Sequence, residues 1–509
     1  MDAATPPESR LARLFGTWVT EVSRATLRAD LAAALPSAVQ ALPQGIAFAT
    51  LAGLPPAYGL YSAVIPCVVA ALFGSSWHVV SGPTNSISLA LFAMLAPLAV
   101  VGSPAYIQLA LTVTILVGLM QLGAGLLRLG SIANFISPPA LMGFTSGAAL
   151  LIAVHALKDL MALEVPPGSS AGTVLIQAVQ QHAPLRSSAL LVGVTTLAAI
   201  LCARRLSPRC PFMLVGLMVG GCLAWLVNQS GGRVGMASVE LVGRLPEVWP
   251  PFSVPRLDVA RLPELLGIAF ALAIIALAQS VSIAKAVALR SGQAIDTNRE
   301  IIGQGLSNVA GGFFSSYVSC GSVNRSIPNL ELGARTPLAA AFSAGLLVAL
   351  VATSSPLLAH IPLAAIGGLL LLVAWTLLDL PGWRKLARSN RTEFGIACGT
   401  LVATLVFRLD MAILLGSMAS LVVYLQRTSR PSMRSMGFDS TDPQRRFVVI
   451  DENHDALPEC PQLKLICMEG SVYFGAAQHV AHRLHGIRTA SGCQATRQTD
   501  PLTTRGIDP

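Results

Sequence analysis

The residues best placed to do chemistry in this chain lie in a short polar run, Ser322-Val323-Asn324-Arg325-Ser326, between strongly apolar stretches. An ionised side chain inside a membrane-spanning stretch is costly, and by default it marks a functional site. Arg325 could therefore supply a fixed positive charge to a bound anion. The alternative is structural, since the guanidinium could pair with Glu331 or reach the membrane surface. Ser322, Asn324 and Ser326 could donate to the same anion or simply cap a helix.

A second short polar run, Thr84-Asn85-Ser86, follows Pro83 earlier in the chain. Thr, Asn and Ser are favoured at helix N-caps, so this run predicts the start of a short helix. The first N–H groups of a helix have no partner within the helix and carry partial positive charge, which favours a bound anion. Each of these three residues could equally be an ordinary cap. Together with Arg325, the two runs favour an anion site.

The sequence gives no support for catalytic chemistry. There is no nucleophile paired with a base and no glycine-rich phosphate loop, so we predict neither an enzyme nor an ATP-driven pump. The nine cysteines include no C-x-x-C pair, which predicts no disulfide framework and no metal site. His479, His482 and His485 repeat every three residues, and without acidic or cysteine partners we interpret them as a solvated helix face. No cofactor is expected.

The composition indicates what kind of protein must position these residues. Of 509 residues, 53% are apolar and 12% are charged, with a mean hydropathy of +0.65. Soluble domains carry about 25% charged residues, and apolar stretches close to bilayer length recur here. Since lipid admits only helices or closed barrels, we predict an α-helical polytopic membrane protein with the lipid bilayer as a partner. The net charge of +9 reflects basic cytoplasmic loops rather than a nucleic-acid partner.

The apolar pattern predicts about fourteen spans. Their approximate ranges are 31–51, 56–73, a short span after Pro83, 105–127, 134–157, 172–203, 211–228, 262–289, 297–314, a short span near Ser322, 336–353, 357–377, 393–408 and 410–426. Arginine and lysine collect after even-numbered spans, which places both termini in the cytoplasm, and we expect a bacterial inner membrane. Each short segment is the third of seven spans. This predicts two 7-span inverted repeats whose short helices face each other, N-terminus to N-terminus, at a central site.

Several motifs resemble the SulP family of anion transporters, the sulfate permeases and their relatives. They are Leu42-Pro43-Gln44-Gly45-Ile46-Ala47-Phe48-Ala49, the segment Gly53–Ser62, Ser81-Gly82-Pro83-Thr84, the segment Asn298–Asn308 and Gly333-Ala334-Arg335-Thr336-Pro337-Leu338-Ala339. The likeness runs in order from about residue 26 to 430. It implies a uracil-permease-like fold in which a core of spans 1–4 and 8–11 moves against a gate of spans 5–7 and 12–14.

The resemblance also implies a function, secondary active transport of a small inorganic anion by alternating access, with the anion held between the two half-helix N-termini. Sulfate is the first candidate because the family is named for it. Bicarbonate, chloride and dicarboxylates stay open, because two helix dipoles and one arginine discriminate little among anions. A non-transporting membrane regulator is an alternative of another class. A homodimer is also open, since relatives often dimerise.

Further site residues follow from the resemblance. Gln44 and Phe48 lie four residues apart and hence on one helix face. By resemblance Gln44 donates to the anion and Phe48 walls the site, while interhelical packing is the alternative. Many bacterial relatives carry a carboxylate in the eighth span that is associated with cation or proton coupling, and the matching position here is Gln279. An amide takes up no proton and is a weaker sodium ligand than a carboxylate, so exchange or uniport is expected.

Four segments are expected along the chain: a cytoplasmic N-terminal segment (1–29), the transmembrane domain (30–428), a partial STAS-like segment (429–485) and a disordered tail (486–509). Strands are predicted at Phe447–Ile450 and Leu463–Ile466, with a helix over Ala477–Leu484. This order resembles the opening of a STAS domain, the α/β cytoplasmic module of such transporters. A complete STAS domain is longer, so we expect a truncated or frameshifted segment with exposed strand edges.

Overall fold

The computed structural model describes residues 15–130, 138–161, 163, 165, 171–180, 187–206, 211–234, 238–243, 247–256, 259–407, 409–439, 446–450, 465–469 and 474–490. By its internal packing the chain forms two units, residues 1–418 and 419–509. The described part of the first unit is almost entirely helical, and that of the second contains a small sheet and a helix.

The helices of the first unit are named in chain order. They are α1 Arg24–Leu51, α2 Pro56–Ser62, α3 Ile65–Phe73, α4 Asn85–Leu95, α5 Pro104–Leu126, α6 Pro138–Met161, α7 Ala171–Gln180, α8 Ser187–Leu206, α9 Phe212–Val234, α10 Leu262–Ser291, α11 Thr297–Phe313, α12 Val323–Glu331, α13 Leu338–Leu358, α14 Leu363–Leu377, α15 Leu380–Ser389, α16 Arg391–Val406 and α17 Leu409–Thr428, which runs past residue 418. A capping box fixes the start of α1, because the hydroxyls of Ser23 and Thr26 each accept from the other's backbone N–H.

Helices occupy all fourteen predicted spans, which confirms the polytopic helical fold. Within the predicted span 172–203 the described residues form two helices, α7 ending at Gln180 and α8 beginning at Ser187, and residues 181–186 lie outside the described part of the chain. The second predicted span is likewise divided into α2 and α3.

The spans differ in how much they depend on their neighbours. Eight helical segments among the described residues are long and apolar enough to cross a membrane alone. By contrast, α4, α11 and α12 are 11, 17 and 9 residues long. A short or polar helix is stable at membrane depth only where surrounding protein satisfies and buries it. These three helices therefore depend on tertiary packing, and they are the ones that build the site.

The helices of the first unit pack as two bundles. The core bundle consists of α1–α5 and α10–α13, with α11 against α3 and α5 and α13 against α1. The gate bundle consists of α6–α9, α14 and α16, with α14 and α16 both against α6. Contacts between the bundles join α1 to α9 and α14, and α4 to α6. This division matches the core and gate that the resemblance implied.

Small residues let the backbones of α5 and α11 touch. A Cβ atom added at Gly118 would lie 2.5 Å from the backbone nitrogen of Val309, and one added at Gly305 would lie 2.5 Å from that of Leu122. Such close approach maximises van der Waals contact, which is a main source of helix association in lipid. The packing holds α11 rigidly beside the site.

Two very short strands join the halves of the core bundle. β1 (Ser81–Gly82) shortly precedes α4, and β2 (Cys320–Gly321) shortly precedes α12. They pair antiparallel, with Ser81 opposite Gly321 and Gly82 opposite Cys320. Because each strand leads into a helix, antiparallel pairing sends α4 and α12 in opposite directions and leaves both N-termini at the ribbon. The inverted relation predicted for the two interrupted segments is thus confirmed.

The long loop between α9 and α10 is fastened to both bundles. Near its start, the Leu363 N–H of α14 donates to the Glu240 carbonyl at 3.0 Å. Further along, the Ser253 N–H donates to the carbonyl of Phe313, the last residue of α11, at 2.7 Å. The loop therefore contacts both bundles.

The second unit contains a three-stranded antiparallel sheet in the order β4–β3–β5. Its elements are β3 Ser432–Phe438, β4 Phe447–Val449, β5 Leu465–Glu469 and the helix α18 Phe474–Ala490. Sequence analysis missed β3, whose polar run forms a strand because both of its edges are paired. The helix continues to Ala490, four residues beyond the 486 at which a disordered tail was expected. Leu463 and Lys464 lie outside the described residues, and the domain boundaries stay predictions.

The loop charges predict a topology that single cysteines can test. In a cysteine-free variant, Val254→Cys lies in the loop between α9 and α10 and is well exposed, whereas Ser389→Cys lies at the end of basic α15. We expect an impermeant maleimide to label Val254→Cys in intact cells and Ser389→Cys only after permeabilisation, because basic loops stay cytoplasmic. Labelling of Ser389→Cys in intact cells would contradict the fourteen-span topology.

Candidate functional site

The candidate site forms where the two short helices begin. Thr84 is the N-cap of α4 and Ser322 is the N-cap of α12, and neither side chain bonds to its own helix as a cap. Both residues are buried beside the β1–β2 ribbon. The first N–H groups of two helices therefore converge, and their dipoles add positive potential at one place. This is the arrangement that the two polar runs predicted.

Arg325 lies at the third position of α12 and is only 2% exposed. In the described part of the chain its guanidinium makes a single hydrogen bond, a long one from Nη2 to the Pro83 carbonyl at 3.5 Å. The structural pairing with Glu331 is not formed, because Glu331 lies 3.7 Å from Arg290 at the exposed end of the helix. Within the described residues, Arg325 is a buried cation with no carboxylate partner. Buried charges are nearly always paired, so the charge of Arg325 calls for an anionic partner.

The guanidinium of Arg325 lies directly over Gly82 in β1. A Cβ atom at Gly82 would overlap Nη2, and the backbone there has φ +156°. Side-chain-bearing residues rarely adopt this conformation. Gly82 is therefore required twice, once for its backbone and once to leave space for the arginine.

Three predicted site residues carry buried polar atoms that have no hydrogen-bond partner in the described part of the chain. They are Oε1 of Gln44, Oγ of Ser86 and Nε of Arg325. These residues lie in α1, α4 and α12, and α1 packs against both other helices. Buried polar atoms without partners are uncommon in native proteins, and each calls for a specific explanation such as a ligand or an ordered water. All three atoms belong to residues that the sequence analysis placed at the site.

Gln44 and Phe48 occupy one buried face of α1, 3% and 2% exposed. The Gln44 amide nitrogen donates to the sulfur of Met213 in α9 at 3.7 Å. Gln44 thus reaches from the core bundle to the gate bundle. The structure places this pair at the seam between the bundles, while its role toward an anion stays a prediction.

Gln279 of α10 lies beside the ribbon and bonds to the N-cap residue of α4 and to β2. Its Oε1 accepts from the Thr84 hydroxyl at 3.4 Å and from the Cys320 thiol at 3.1 Å. The Thr84 oxygen and the Cys320 sulfur are themselves 3.3 Å apart. The position that resemblance associates with coupling is therefore in contact with the start of α4 and with β2.

Some predicted donors brace the ribbon instead of facing open space. The Val80 N–H donates to the Ser326 hydroxyl at 3.0 Å, and the Ser322 N–H donates to the Val80 carbonyl at 3.1 Å. These bonds hold the segment before α4 against the start of α12. They account for the burial of Ser326 without a ligand.

Two asparagines of the predicted site differ in position. Asn85 is buried, and its Oδ1 accepts from the Ser86 N–H at 2.9 Å, as a local turn does. Asn324 is exposed, so the structure does not bring it together with the buried residues at the ribbon.

A polar hub on α11 supports the ribbon, and sequence reasoning did not assign it a role. Asn308 accepts from the Ser319 N–H at 2.8 Å and donates to the Ser319 carbonyl at 3.0 Å. Gln304 accepts from the hydroxyls of Ser81 at 3.0 Å and Ser280 at 3.3 Å. Both amides are fully buried and hydrogen-bonded. One signal in the sequence could have found them: both amides belong to the motif Asn298–Asn308, which lies within a predicted membrane span.

Two buried carboxylates hold the backbone of connections between helices of the core bundle. Asp30 of α1 accepts from the backbone N–H groups of Arg335 at 2.7 Å and Thr336 at 3.1 Å. Glu300 of α11 accepts from the N–H groups of Ser75 and Ser76, each at 2.9 Å. A carboxylate that caps free backbone donors is well stabilised. These residues fix loops and do not face the ribbon. No cluster of three or more His, Cys, Asp or Glu that could hold a metal ion occurs among the described residues.

The sequence of the chain matches known transporters. Residues 27–400 match the profile of the Sulfate permease family. A "Probable sulfate transporter" of Mycobacterium tuberculosis is 32% identical over 421 residues, which are 82% of this chain and 74% of that protein. Human solute carrier family 26 member 6 is 29% identical over 484 residues, which are 90% of this chain and 62% of that protein.

The fold also matches solved structures. Murine solute carrier 26 family member A9, an anion transporter in the inward-facing state, gives a TM-score of 0.80 at 19% identity, covering 97% of this chain and 84% of that one. The transmembrane domain of the cyanobacterial bicarbonate transporter BicA gives 0.68 at 23% identity, covering 79% and 98%. At these identities the likeness shows a shared fold.

The contact between Gly82 and Arg325 predicts that Gly82→Ala destabilises the protein. The added methyl group must displace the guanidinium and force an unfavourable backbone conformation, which costs on the order of 1–3 kcal/mol. We expect a melting temperature in detergent several degrees below that of the wild type. Gly267→Ala is the matched control, because that glycine lies in α10 with open space around its Cβ position. Equal melting temperatures for the two variants would contradict the contact.

The hub predicts that Asn308→Leu is also destabilising. Leucine has about the same size but leaves the buried Ser319 N–H and the Oε1 of Gln121 without the partners that Asn308 supplies, and each unsatisfied group costs roughly 1–3 kcal/mol. A lower melting temperature is expected relative to Thr353→Ala, which removes an exposed hydroxyl from α13. A variant as stable as the control would show that the hub is not needed to hold β2.

Proposed function

The chain belongs to the Sulfate permease family, whose members are anion transporters and not enzymes, and from this membership we propose that it carries sulfate across the membrane by alternating access. In this proposal the anion binds between the N-termini of α4 and α12. The lipid-spanning core bundle holds the site. The chain therefore works as a secondary transporter.

The observation that carries the proposal is the burial of Arg325 without a carboxylate. An uncompensated charge at membrane depth costs several kcal/mol. A transported anion offsets that cost during each cycle, and the empty site is correspondingly less stable. The N–H groups at the two helix starts add neutral donors on either side of the guanidinium. A divalent oxyanion suits such a site because it can accept from several directions at once.

The two bundles supply the moving parts of the proposed mechanism. The ribbon, Arg325 and Gln279 all belong to the core bundle, whereas Met213 belongs to the gate bundle. Contacts across the seam include the ring contact between Phe92 of α4 and His155 of α6, with ring centroids 5.6 Å apart. Sliding of one bundle past the other would expose the site to each side in turn.

Sulfate is proposed because curated relatives carry that name, among them the mycobacterial protein. Bicarbonate, chloride and dicarboxylates remain the competing substrates, and a non-transporting regulator is the competing function. We further propose a bacterial plasma membrane, with both termini cytoplasmic. Homodimer formation is an additional proposal for this chain.

Transport assays with Arg325→Ala test the proposal. We expect the purified wild type in proteoliposomes to take up radiolabelled sulfate, with the other anions present singly as competitors. Loss of a charge–anion contact worth about 1.5–3 kcal/mol should raise the KM for sulfate roughly ten- to hundredfold. Chloride, if carried, should be affected less because it bears one charge.

Arg325→Lys is the companion variant, since it keeps the charge and loses the planar fork. It should retain more sulfate flux than Arg325→Ala. Absence of flux for every anion tested, with wild-type protein folded and inserted, would favour the regulator. An equal loss for divalent and monovalent anions would assign Arg325 a purely structural role.

A further inference from the structure

A cavity lies apart from the β1–β2 ribbon, at the end of the core bundle where α3 and α10 finish and α11 begins. It encloses about 650 Å³, a volume typical of sites for small organic molecules. Its described walls come from residues 15–21, 74–78, 291–299 and 330–335. None of these described lining residues belongs to the candidate anion site, so the cavity needs its own explanation.

The segment before α1 forms one wall of the cavity and is held there by aromatic packing. The rings of Phe15 and Phe73, the last residue of α3, have centroids 5.4 Å apart. Trp18 is buried, and its indole N–H donates to the Phe15 carbonyl at 2.6 Å. Trp77 lines the cavity from the connection after α3. An occupant therefore meets the aromatic side chains of Phe15, Trp18 and Trp77.

Two arginines bring positive charge to the other walls. Arg299 of α11 lies against the backbone of Gly16, because a Cβ atom added at Gly16 would be 3.1 Å from its Nη2. Arg335 follows α12, and its side chain is exposed at the cavity. The bond that holds this connection uses the Arg335 backbone N–H, which donates to Asp30. The Arg335 guanidinium is therefore available to a ligand.

The carboxylates around the cavity are directed to backbone donors. Asp296 caps α11 by accepting from the Asn298 N–H at 2.8 Å, and Glu300 and Asp30 accept from the connections already described. Glu21 is the one acidic side chain among the described lining residues, and it is exposed. The two arginines therefore outweigh the acidic charge of the walls, which favours an anionic occupant.

A buried histidine adds a hydrogen-bonding group to the same cavity. His78 lines the wall and is 6% exposed, and its Nδ1 has no hydrogen-bond partner in the described part of the chain. Its position is fixed through the backbone, since its carbonyl accepts from the Asn329 amide at 3.1 Å. Buried polar atoms nearly always have a partner, and an imidazole N–H can donate to an oxyanion. His78 is therefore a second kind of contact for an anion.

We propose that this cavity binds a phosphate ester, with the phosphate beside the two arginines and the organic group against the aromatic wall. The planar guanidinium matches the oxygens of a phosphate. An inorganic anion would use the charged wall alone, whereas the aromatic wall favours a ligand with an apolar body. Two sources offer this chemistry: a soluble organic phosphate, and the headgroup of an anionic phospholipid at the cytoplasmic membrane surface.

Phenyl phosphate is the probe, because it combines one phosphate with one aromatic ring. Binding is measured by titration calorimetry on the purified full-length chain in detergent. We expect the wild type to bind phenyl phosphate about tenfold more tightly than inorganic phosphate, since the ring is buried against apolar surface. Bound ligand should also raise the melting temperature, because it stabilises only the folded chain.

Two substitutions separate the charged wall from the aromatic wall. Arg335→Gln should weaken phenyl phosphate binding roughly tenfold or more and leave the melting temperature of the free chain unchanged. Trp77→Ala should reduce the preference for phenyl phosphate over inorganic phosphate. Arg388→Gln is the matched control, because Arg388 is an exposed arginine on α15 that does not line the cavity. Arg325→Ala reports on the candidate anion site and should bind phenyl phosphate as the wild type does.

Short-chain lipids distinguish the two sources. Dioctanoyl phosphatidylglycerol carries a net negative charge, whereas dioctanoyl phosphatidylcholine is zwitterionic. Displacement of phenyl phosphate by the first lipid and not by the second supports the inference and assigns the ligand to the membrane. Phenyl phosphate binding that neither lipid displaces supports the inference and assigns the ligand to the soluble phase.

Three results would overturn the inference. The first is a wild-type chain that binds neither phenyl phosphate nor dioctanoyl phosphatidylglycerol saturably. The second is phenyl phosphate binding by Arg335→Gln that equals binding by Arg388→Gln, because the cavity arginine would then contribute nothing specific. The third is equal wild-type affinity for phenyl phosphate and inorganic phosphate, because the aromatic wall would then have no role.

Discussion

A buried guanidinium without a carboxylate partner is the constraint on which the rest of this structure depends. Removing a cation from water costs several kcal/mol, and protein interiors usually recover this through an ion pair. Among the described residues, the Arg325 guanidinium has only a long hydrogen bond to a backbone carbonyl. The surrounding chain must therefore be stable enough to hold an unfavourable group in place. The dense hydrogen bonding around the β1–β2 ribbon provides that stability.

The ribbon is too short to be stable by itself. It consists of two residue pairs, and the helices that follow it are shorter than a bilayer crossing. Its order comes from bonds to segments far away in the chain, notably Asn308 to Ser319 and Val80 to Ser326. In lipid these bonds cannot be exchanged for bonds to water, so losing one leaves a polar group unsatisfied. Many polar residues of the core bundle are thus braces for the site and do not contact its occupant.

The distinction between residues that brace the site and residues that contact its occupant also explains the motifs that carry the family resemblance. Gly82 makes room for Arg325, Glu300 accepts from the N–H groups of Ser75 and Ser76, and the N–H groups of Arg335 and Thr336 donate to Asp30. Apart from Gly82, these motif residues take part in hydrogen bonds that satisfy backbone groups where a helix ends inside the protein. A fold that interrupts helices at membrane depth needs such residues in fixed positions, which gives the motifs a physical basis independent of the transported anion.

The sequence by itself determined the membrane class, the helical spans and the two interrupted segments, because hydropathy and N-cap preference are properties of neighbouring residues. It also singled out Arg325 and Thr84, since a charge and a capping residue within apolar stretches are visible locally. Only the tertiary structure decided that Ser326 braces Val80, that Asn324 is exposed and that β3 is a strand. The Val80–Ser326 bond joins residues 246 positions apart. Which polar side chain faces a ligand and which one satisfies a distant backbone group depends on that pairing, and no local pattern encodes it.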